Sequence, residues 1–306
     1  MSKDFDILVV GELNPDLVLS GDVAPEFGQV EKLVTDATLA IGGSAAIFAC
    51  GAARLGLRTA FTSIAGDDVF GHFMLDQLNQ RGIDTTGVVI DSRQRTGLSV
   101  ILSRGSDRAI LTFPGSIPAL RLAEISPELL ARSRHLHLAG YYILDALRPD
   151  VPALFDLAHR QGLTVSLDTN YDPGGQWDGG LAQVLPRTDV FLPNAAEAQA
   201  ITGRDSVQGA LEVLAGQVRI AILKLGEAGA VAQAGVQTSS ALALPVSVID
   251  TVGAGDAFDA GFLFGFLSGW DLPRSLRLGC ICGSLSTAAA GGTAAQPSLD
   301  QAQSYL

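Results

Sequence analysis

The segment Asp250-Thr-Val-Gly253-Ala254-Gly255-Asp256-Ala-Phe258 holds the residues best suited to chemistry. Two glycines and an alanine stand before a strongly apolar helical pattern, Ala257–Gly269. Small residues let the chain turn tightly and bring backbone N–H groups close to a ligand. The first N–H groups of a helix have no intrahelical partner and carry partial positive charge, so they suit a phosphate. Asp256 then sits beside the bound phosphate, where a carboxylate can take a proton from an attacking hydroxyl. An ordinary helix N-cap satisfies the same pattern. The segment is not a P-loop, because no Gly-Lys-Ser/Thr follows, and Phe258 stands where a dinucleotide fingerprint needs its third glycine.

Four further groups of residues follow short apolar runs or open helices. Gly11-Glu-Leu-Asn14-Pro-Asp16 comes directly after Ile7–Val10. Asn14 and Asp16, two apart, can point to one side and bind sugar hydroxyls at a strand's carboxyl end, where open α/β sheets bind ligands. Ile41-Gly42-Gly43-Ser44 opens an alanine-rich helix and by itself reads equally as a turn. Pro193-Asn194-Ala-Ala-Glu197 places an Asn and a Glu on one helix face. That pair can hold a hydrated Mg²⁺ or can simply be a helix cap. Lys224-Leu-Gly226-Glu-Ala-Gly229 puts a lysine at the end of an apolar run, in a chain with only three lysines against 17 arginines.

These groups need a scaffold that brings them to one rim. Unbroken apolar runs at Ile7–Val10, Thr59–Ile64, Leu136–Leu138, Thr164–Leu167, Val190–Leu192 and Ile220–Leu223 predict strands buried on both faces. Helical patterns at Ser44–Leu55, Phe70–Asn79, Val151–Gln161, Ala195–Ile201 and Ser206–Ala215 lie between them, most ending at a glycine. The alternation predicts an α/β fold, a doubly wound, mostly parallel sheet flanked by helices, as a single domain over 1–306. Two stretches break it. Residues 12–40 carry Leu17–Ser20 and Lys32–Thr35, and residues 88–113 carry Val88–Ile90, Leu98–Leu102 and Ala109–Phe113. Both read as hairpin strands of a small second sheet, a lid that excludes water from a reactive phosphate.

Composition narrows the classes. The 306 residues are 47% hydrophobic and 17% charged, enough for a large core. A formal net charge of −12 argues against nucleic-acid or anionic-membrane partners, but not against a small phosphate ligand. Three cysteines, Cys50, Cys280 and Cys282, cannot build a disulfide framework, and Cys280-Ile-Cys282 reads as two small buried residues on a helix. The first residues do not read as a signal peptide, and no run is apolar enough to span a membrane. A cytoplasmic protein is the expectation.

Residues 250–263 closely resemble the C-terminal signature of the ribokinase-like (PfkB) carbohydrate kinases. Residues 42–71, from Gly42-Gly43 through Ala53-Arg54-Leu55-Gly56 to Gly66-Asp67-Asp68 and Gly71, resemble their N-terminal signature. Asn14-Pro-Asp16, Asp168-Thr-Asn170, Asn194-x-x-Glu197, Lys224-Leu-Gly226 and Gln296-Pro297-Ser298 fall in family order. The resemblance implies ATP-dependent transfer of the γ-phosphate to a hydroxymethyl of a sugar, a sugar acid or a nucleoside. It implies Asp256 as base and Gly253, Ala254 and Gly255 as anion hole. It assigns Asn14, Asp16, Gly42, Gly43 and Ser44 to the acceptor, and Asn194, Lys224, Gly226 and Gly229 to ATP. Glu197 would serve Mg²⁺ through water, and a K⁺ loop would fall near Asp250, Val252, Ala289, Ala294 and Ser298. The lid implies a homodimer. Ile47 is a departure, since many sugar-phosphorylating members carry Asn there. Ile47 is also the sole motive for reading the chain as a silent sugar- or nucleotide-binding regulator. A nicotinamide oxidoreductase is disfavoured by Gly11-Glu-Leu-Asn14 after the first strand.

Overall fold

A computed structural model describes residues 3–104 and 107–306. In chain order the strands and helices are β1 (Ile7–Val10), β2 (Asn14–Ser20), β3 (Asp36–Gly42), α1 (Ser44–Arg54), β4 (Thr59–Gly66), α2 (Val69–Asn79), β5 (Asp84–Asp91), β6 (Leu98–Arg104) and β7 (Asp107–Phe113). They continue with α3 (Pro127–Arg132), β8 (His135–Ala139), α4 (Val151–Arg160), β9 (Thr164–Asp168), α5 (Leu181–Val184), β10 (Val190–Phe191), α6 (Ala195–Thr202) and α7 (Val207–Ala215). Last come β11 (Ile220–Lys224), β12 (Ala230–Ala234), β13 (Gln237–Ala241), α8 (Ala254–Leu267), α9 (Leu272–Ser286) and α10 (Leu299–Gln303).

Nine strands form the main sheet in the order β13-β12-β11-β10-β9-β8-β1-β4-β5. Pairing is parallel from β5 to β11, and β12 and β13 add antiparallel at one edge. All four residues of β1 are fully buried, as a strand covered on both faces requires. The chain runs outward from β1 to β4 and β5 on one side and from β8 on the other. The order therefore reverses between β1 and β8, and the crevice at their carboxyl ends is where such sheets bind ligands.

Small residues set the helix layer that carries the site. A Cβ on Gly51 of α1 would stand 3.1 Å from the Ala260 Cβ of α8. One on Gly261 of α8 would stand 2.9 Å from the Cys282 sulfur of α9. Helix axes can approach this closely only because those side chains are missing. Cys280 and Cys282 are thus buried packing residues of α9, as expected, and all three thiols are free.

A separate four-stranded sheet has the order β3-β2-β6-β7. β2 pairs antiparallel with β3, β6 antiparallel with β7, and β2 parallel with β6. Two expectations need correction. Val88–Ile90 belongs to β5, at the edge of the main sheet, paired in parallel with β4. Lys32–Thr35 is not a strand; the partner of β2 begins at Asp36, because the register Asn14↔Gly42 to Ser20↔Asp36 uses the residues nearest α1. Lys32 instead pairs with Asp22 and Glu26. The apolar run Leu244–Ile249 is irregular chain, with Leu244 N bonded to Ser284 Oγ (2.9 Å) and Ile249 N to Thr287 O (2.8 Å). Among the described residues no helix is long and apolar enough to cross a membrane.

Candidate active site

Helix α8 begins three residues earlier than its apolar pattern suggests. Gly253 is its N-cap, with φ +71°, a conformation that favours glycine, and no side chain caps the first turn. A Cβ there would stand 2.8 Å from Gly292 and from Ile47 Cγ2. The amides of Gly255 and Asp256 therefore open a helix end that no N-cap side chain closes.

Asp256 is 6% exposed. Burial, then Asp168 and Glu12, push its carboxyl well above the usual range. Lys224 and a hydrogen bond from Ser44 work the other way.

Ala254 and Gly255 line a cavity of about 740 Å³, with Lys224, Gly226, Gly229, the 243–248 segment, Phe258 and Cys280. Its long irregular wall is the apolar run Leu244–Ile249. Apolar walls ending at an uncapped helix N-terminus fit a nucleotide, base in the cleft and phosphates at the amides.

The residues expected to meet an acceptor also converge. Asn14 Nδ2 lies 3.5 Å from Asp16 Oδ1 and 3.3 Å from Ser99 Oγ of β6. A Cβ on Gly42 would run into the Asp16 carboxylate, and one on Gly43 would meet Asn14 Oδ1 at 2.9 Å. Glycine at both positions is what lets β3 pass these side chains. Burial pushes Asp16 up to about 7, with Glu12 and Asp250 adding to the rise.

Asn194 and Glu197 form a reciprocal cap on α6: Glu197 N donates to Asn194 Oδ1 (3.0 Å) and Asn194 N to Glu197 Oε2 (2.9 Å). Burial, then Asp168, raise Glu197 to about 7. The described residues contain no cluster of three or more His, Cys, Asp or Glu fit to hold a metal. A divalent ion here would therefore arrive with phosphate and water, as Mg²⁺ does.

Lys224 does not offer a bare charge to the cavity. Its Nζ lies 2.7 Å from Asp168 Oδ2 and 3.2 Å from both oxygens of Asp259. Burial opposes its charge, but Asp168 and Asp259 outweigh that and hold its pKa above the ordinary lysine value. Burial also opposes ionisation of Asp168, yet Lys224 keeps it below the usual range. Asp259 is raised well above that range by burial, against the pull of Lys224.

Asp250 ties the loop before α8 to its surroundings. Its carboxylate accepts from Val252 N (2.9 Å), Gly291 N (2.9 Å) and Arg108 Nη1 (3.4 Å). Ser298 spends its hydroxyl as the cap of α10. The loop before α8 and the loop at Gly291 adjoin through Asp250. Ile47 is buried against Gly253 and Gly292, and its carbonyl accepts from Gln296 Nε2 at 2.9 Å. It is a packing residue beneath the anion loop.

The sequence profile of the pfkB family carbohydrate kinases matches residues 4–299. This chain belongs to that family. The kinase is 28% identical over 323 residues to the 5-dehydro-2-deoxygluconokinase of Geobacillus thermodenitrificans, covering 99% of this chain and 94% of that one. Its fold superposes with a TM-score of 0.86 on a putative ribokinase II from E. coli in complex with ATP and Mg²⁺, at 22% identity over 100% and 99% of the two chains. It also matches a Vibrio cholerae fructokinase with bound fructose, ADP and potassium ion, TM-score 0.83 and 23% identity over 100% and 99%.

Several residues of the kinase's site escaped sequence reading. Glu12 is 3% exposed, and its Oε1 accepts from Ser44 N at 2.6 Å, capping α1. Asp259 follows Asp256 by three, so both face inward on α8; that spacing was a usable signal. Arg108 of β7 reaches Thr251 Oγ1 at 3.0 Å, and no spacing could show that.

Proposed function

We propose that the protein transfers the γ-phosphate of ATP to a hydroxymethyl group of a sugar or sugar acid. The observation that carries this reading is the placement of Asp256. It lies in the first turn of an uncapped helix end, with Ala254 and Gly255 facing the nucleotide-sized cavity. Phosphoryl transfer asks mainly for positioning and for neutralising charge.

Asn14, Asp16, Gly42 and Gly43 hold the acceptor with its hydroxyl toward Asp256. The hydroxyl oxygen bonds to the γ-phosphorus, the bond to the β-phosphate oxygen breaks, ADP leaves and the proton passes to Asp256. The amides of Gly255 and Asp256 face the negative charge of the transferred group. Asn194, Glu197, Gly226 and Gly229 line the phosphate side. Mg²⁺, when bound with ATP, would neutralise phosphate charge. The second sheet acts as a lid over the acceptor. Leu39, Leu111 and Phe113 share one face of it and are exposed, which supports a homodimer through that face. Light scattering on the eluted protein tests this: a monomer mass at micromolar concentration overturns it. We take the kinase to be cytoplasmic, in keeping with its buried free thiols.

The test is ADP release with Mg-ATP across pentoses, hexoses, keto-deoxy acids and nucleosides. Wild type is expected to turn over one acceptor class. Asp256→Asn is expected to lose about 10²–10⁴-fold in kcat while still binding ATP. Turnover only of nucleosides would move the acceptor assignment. An unchanged kcat in the variant would remove Asp256 as base.

A further inference from the structure

The cavity beside α8 has room for a purine nucleotide, but its walls hold little that tells one purine from another. Adenine and guanine differ where adenine presents an NH₂ donor and guanine an oxygen acceptor. A protein reads that difference with a side chain of fixed polarity: a carboxylate that only accepts, or an ammonium or guanidinium that only donates. Among the described residues lining the cavity, only Lys224 and Glu227 are of that kind.

Both stand away from a base. A Cβ on Gly255, in the first turn of α8, would stand 3.4 Å from Lys224 Nζ, so the ammonium lies at the phosphate end. That nitrogen is also bonded to Asp168 and Asp259. Glu227 lies on the exposed turn Gly226–Ala228, on the phosphate side and open to water.

The other polar side chains are a thiol and three hydroxyls. Ser284 Oγ accepts from Leu244 N (2.9 Å), Thr287 Oγ1 donates to Ser284 O (2.7 Å), and Thr251 Oγ1 accepts from Arg108 (3.0 Å). A hydroxyl rotates to donate or accept, so it serves either purine. The 243–248 wall also shows backbone, but Leu244 N is bonded to Ser284 and Pro245 has no N–H. Ser247 and Val248 are exposed, and water competes for their groups. What remains is an apolar slot of Leu244, Val246, Val248, Phe258 and Gly283.

We propose that this cleft selects its phosphoryl donor by the triphosphate and by the apolar face of a purine, and does not read the edge of the base: GTP and ITP serve as donors alongside ATP. This rests on the reading of the cavity as the nucleotide site, and it names the donor class that site takes. The transfer is unchanged. The acceptor's oxygen bonds to the γ-phosphorus, the bond to the β-phosphate oxygen breaks, GDP or IDP leaves, and the hydroxyl proton passes to Asp256. A site built to hydrogen-bond a group rejects an analogue lacking it by about 10⁴–10⁵-fold, whereas an apolar pocket rejects a near-isostere by only about 10²-fold or less.

The experiment is calorimetry of the full chain with the Mg²⁺ complexes of ATP, GTP, ITP and CTP, which needs no identified acceptor. The three purine nucleotides are expected to bind with Kd values within about tenfold of one another. CTP, whose smaller ring buries less apolar surface, is expected to bind at least about tenfold more weakly than ATP. The same purine ratio is expected in kcat/KM, read as GDP against ADP release with the acceptor that the panel identifies. Ser284→Ala and Thr287→Val are expected to keep the ratio of ATP to GTP affinity within about threefold of wild type, whatever each does to either affinity alone. A GTP Kd more than about tenfold above that of ATP, or a ratio that moves by more than that in either variant, overturns the proposal and leaves the nucleotide site in place. CTP binding as tightly as ATP overturns the apolar slot as the holder of the base. Failure of the underlying reading looks different, since then no triphosphate binds.

Discussion

Arg108 and Asp250 meet across 142 positions of sequence, Nη1 to Oδ1 at 3.4 Å. Arg108 belongs to the outermost strand of the second sheet, and Asp250 opens the loop that leads into α8. The same guanidinium donates to Thr251 Oγ1 at 3.0 Å, and the other carboxylate oxygen of Asp250 holds Gly291 N. One contact therefore links the lid, the anion loop and the 287–292 loop.

Arg108→Ala should loosen the lid without touching the chemistry. The pair is partly exposed, so its contribution is modest, about 0.5–1 kcal/mol. We expect the acceptor KM to rise roughly threefold to fivefold with kcat nearly kept, and less difference from wild type at high salt. Steady-state ADP release at two ionic strengths checks this. A KM equal to wild type at low salt argues against a role in closure.

Gly42→Ala puts a methyl where the Asp16 carboxylate lies. Displacing Asp16 is expected to raise the acceptor KM at least tenfold and to cost about 1–3 kcal/mol of stability by overpacking. ATP affinity, read by calorimetry, should persist because the nucleotide cavity is lined by other residues. A wild-type KM would mean that Asp16 does not meet the acceptor.

Lys224→Met leaves Asp168 ionised in the interior without its counter-charge. Breaking a buried pair in this way typically costs about 3–5 kcal/mol, which for a chain of this size lowers the melting temperature by roughly 10 °C. In wild type Lys224 holds Asp168 below its usual range, so the stability that this pair contributes is present above the unfolded carboxyl pKa and is lost on acidification. The deficit of the variant should therefore shrink toward pH 4. Melting curves from pH 4 to 8 that run parallel for the two proteins would contradict the pairing.

Asp16 gives the opposite sign. Its carboxyl is raised from 3.8 to about 7, so the folded state holds a proton that the unfolded chain releases. Stability from this group is fully present below about pH 4 and is lost as pH rises through about 7. Glu197, raised from 4.5 to about 7, acts in the same window. Asp16→Asn should thus flatten, though not abolish, the fall in apoprotein stability between pH 4 and 7. Chemical denaturation across that range is the check, and an unaltered slope would place Asp16 in a more solvated site.

The fold was largely legible because its strands are buried on both faces and so read as unbroken apolar runs. β1 matches its predicted bounds, and β4, β8, β9 and β11 extend theirs by one or two residues. Amphipathic pieces were harder. Val88–Ile90 has the composition of a strand, but nothing local says which sheet it joins; parallel pairing with β4 decides that. Leu244–Ile249 has the composition of a strand and forms none, because its side chains wall the cavity and its amides bond to α9 and the loop after it.

By itself the sequence determined the small residues Gly253-Ala254-Gly255 before α8 and the position of Asp256 directly after them, because these depend on neighbours a few residues apart. The tertiary structure decided the charge states and contacts around them. Lys224 meets Asp168 and Asp259 at separations of 56 and 35 residues, Ser44 meets Asn170 at 126, and Arg108 meets Asp250 at 142. Such contacts depend on sheet order, on side-chain direction and on the loss of water around buried carboxylates. None of these leaves a periodic trace in the chain.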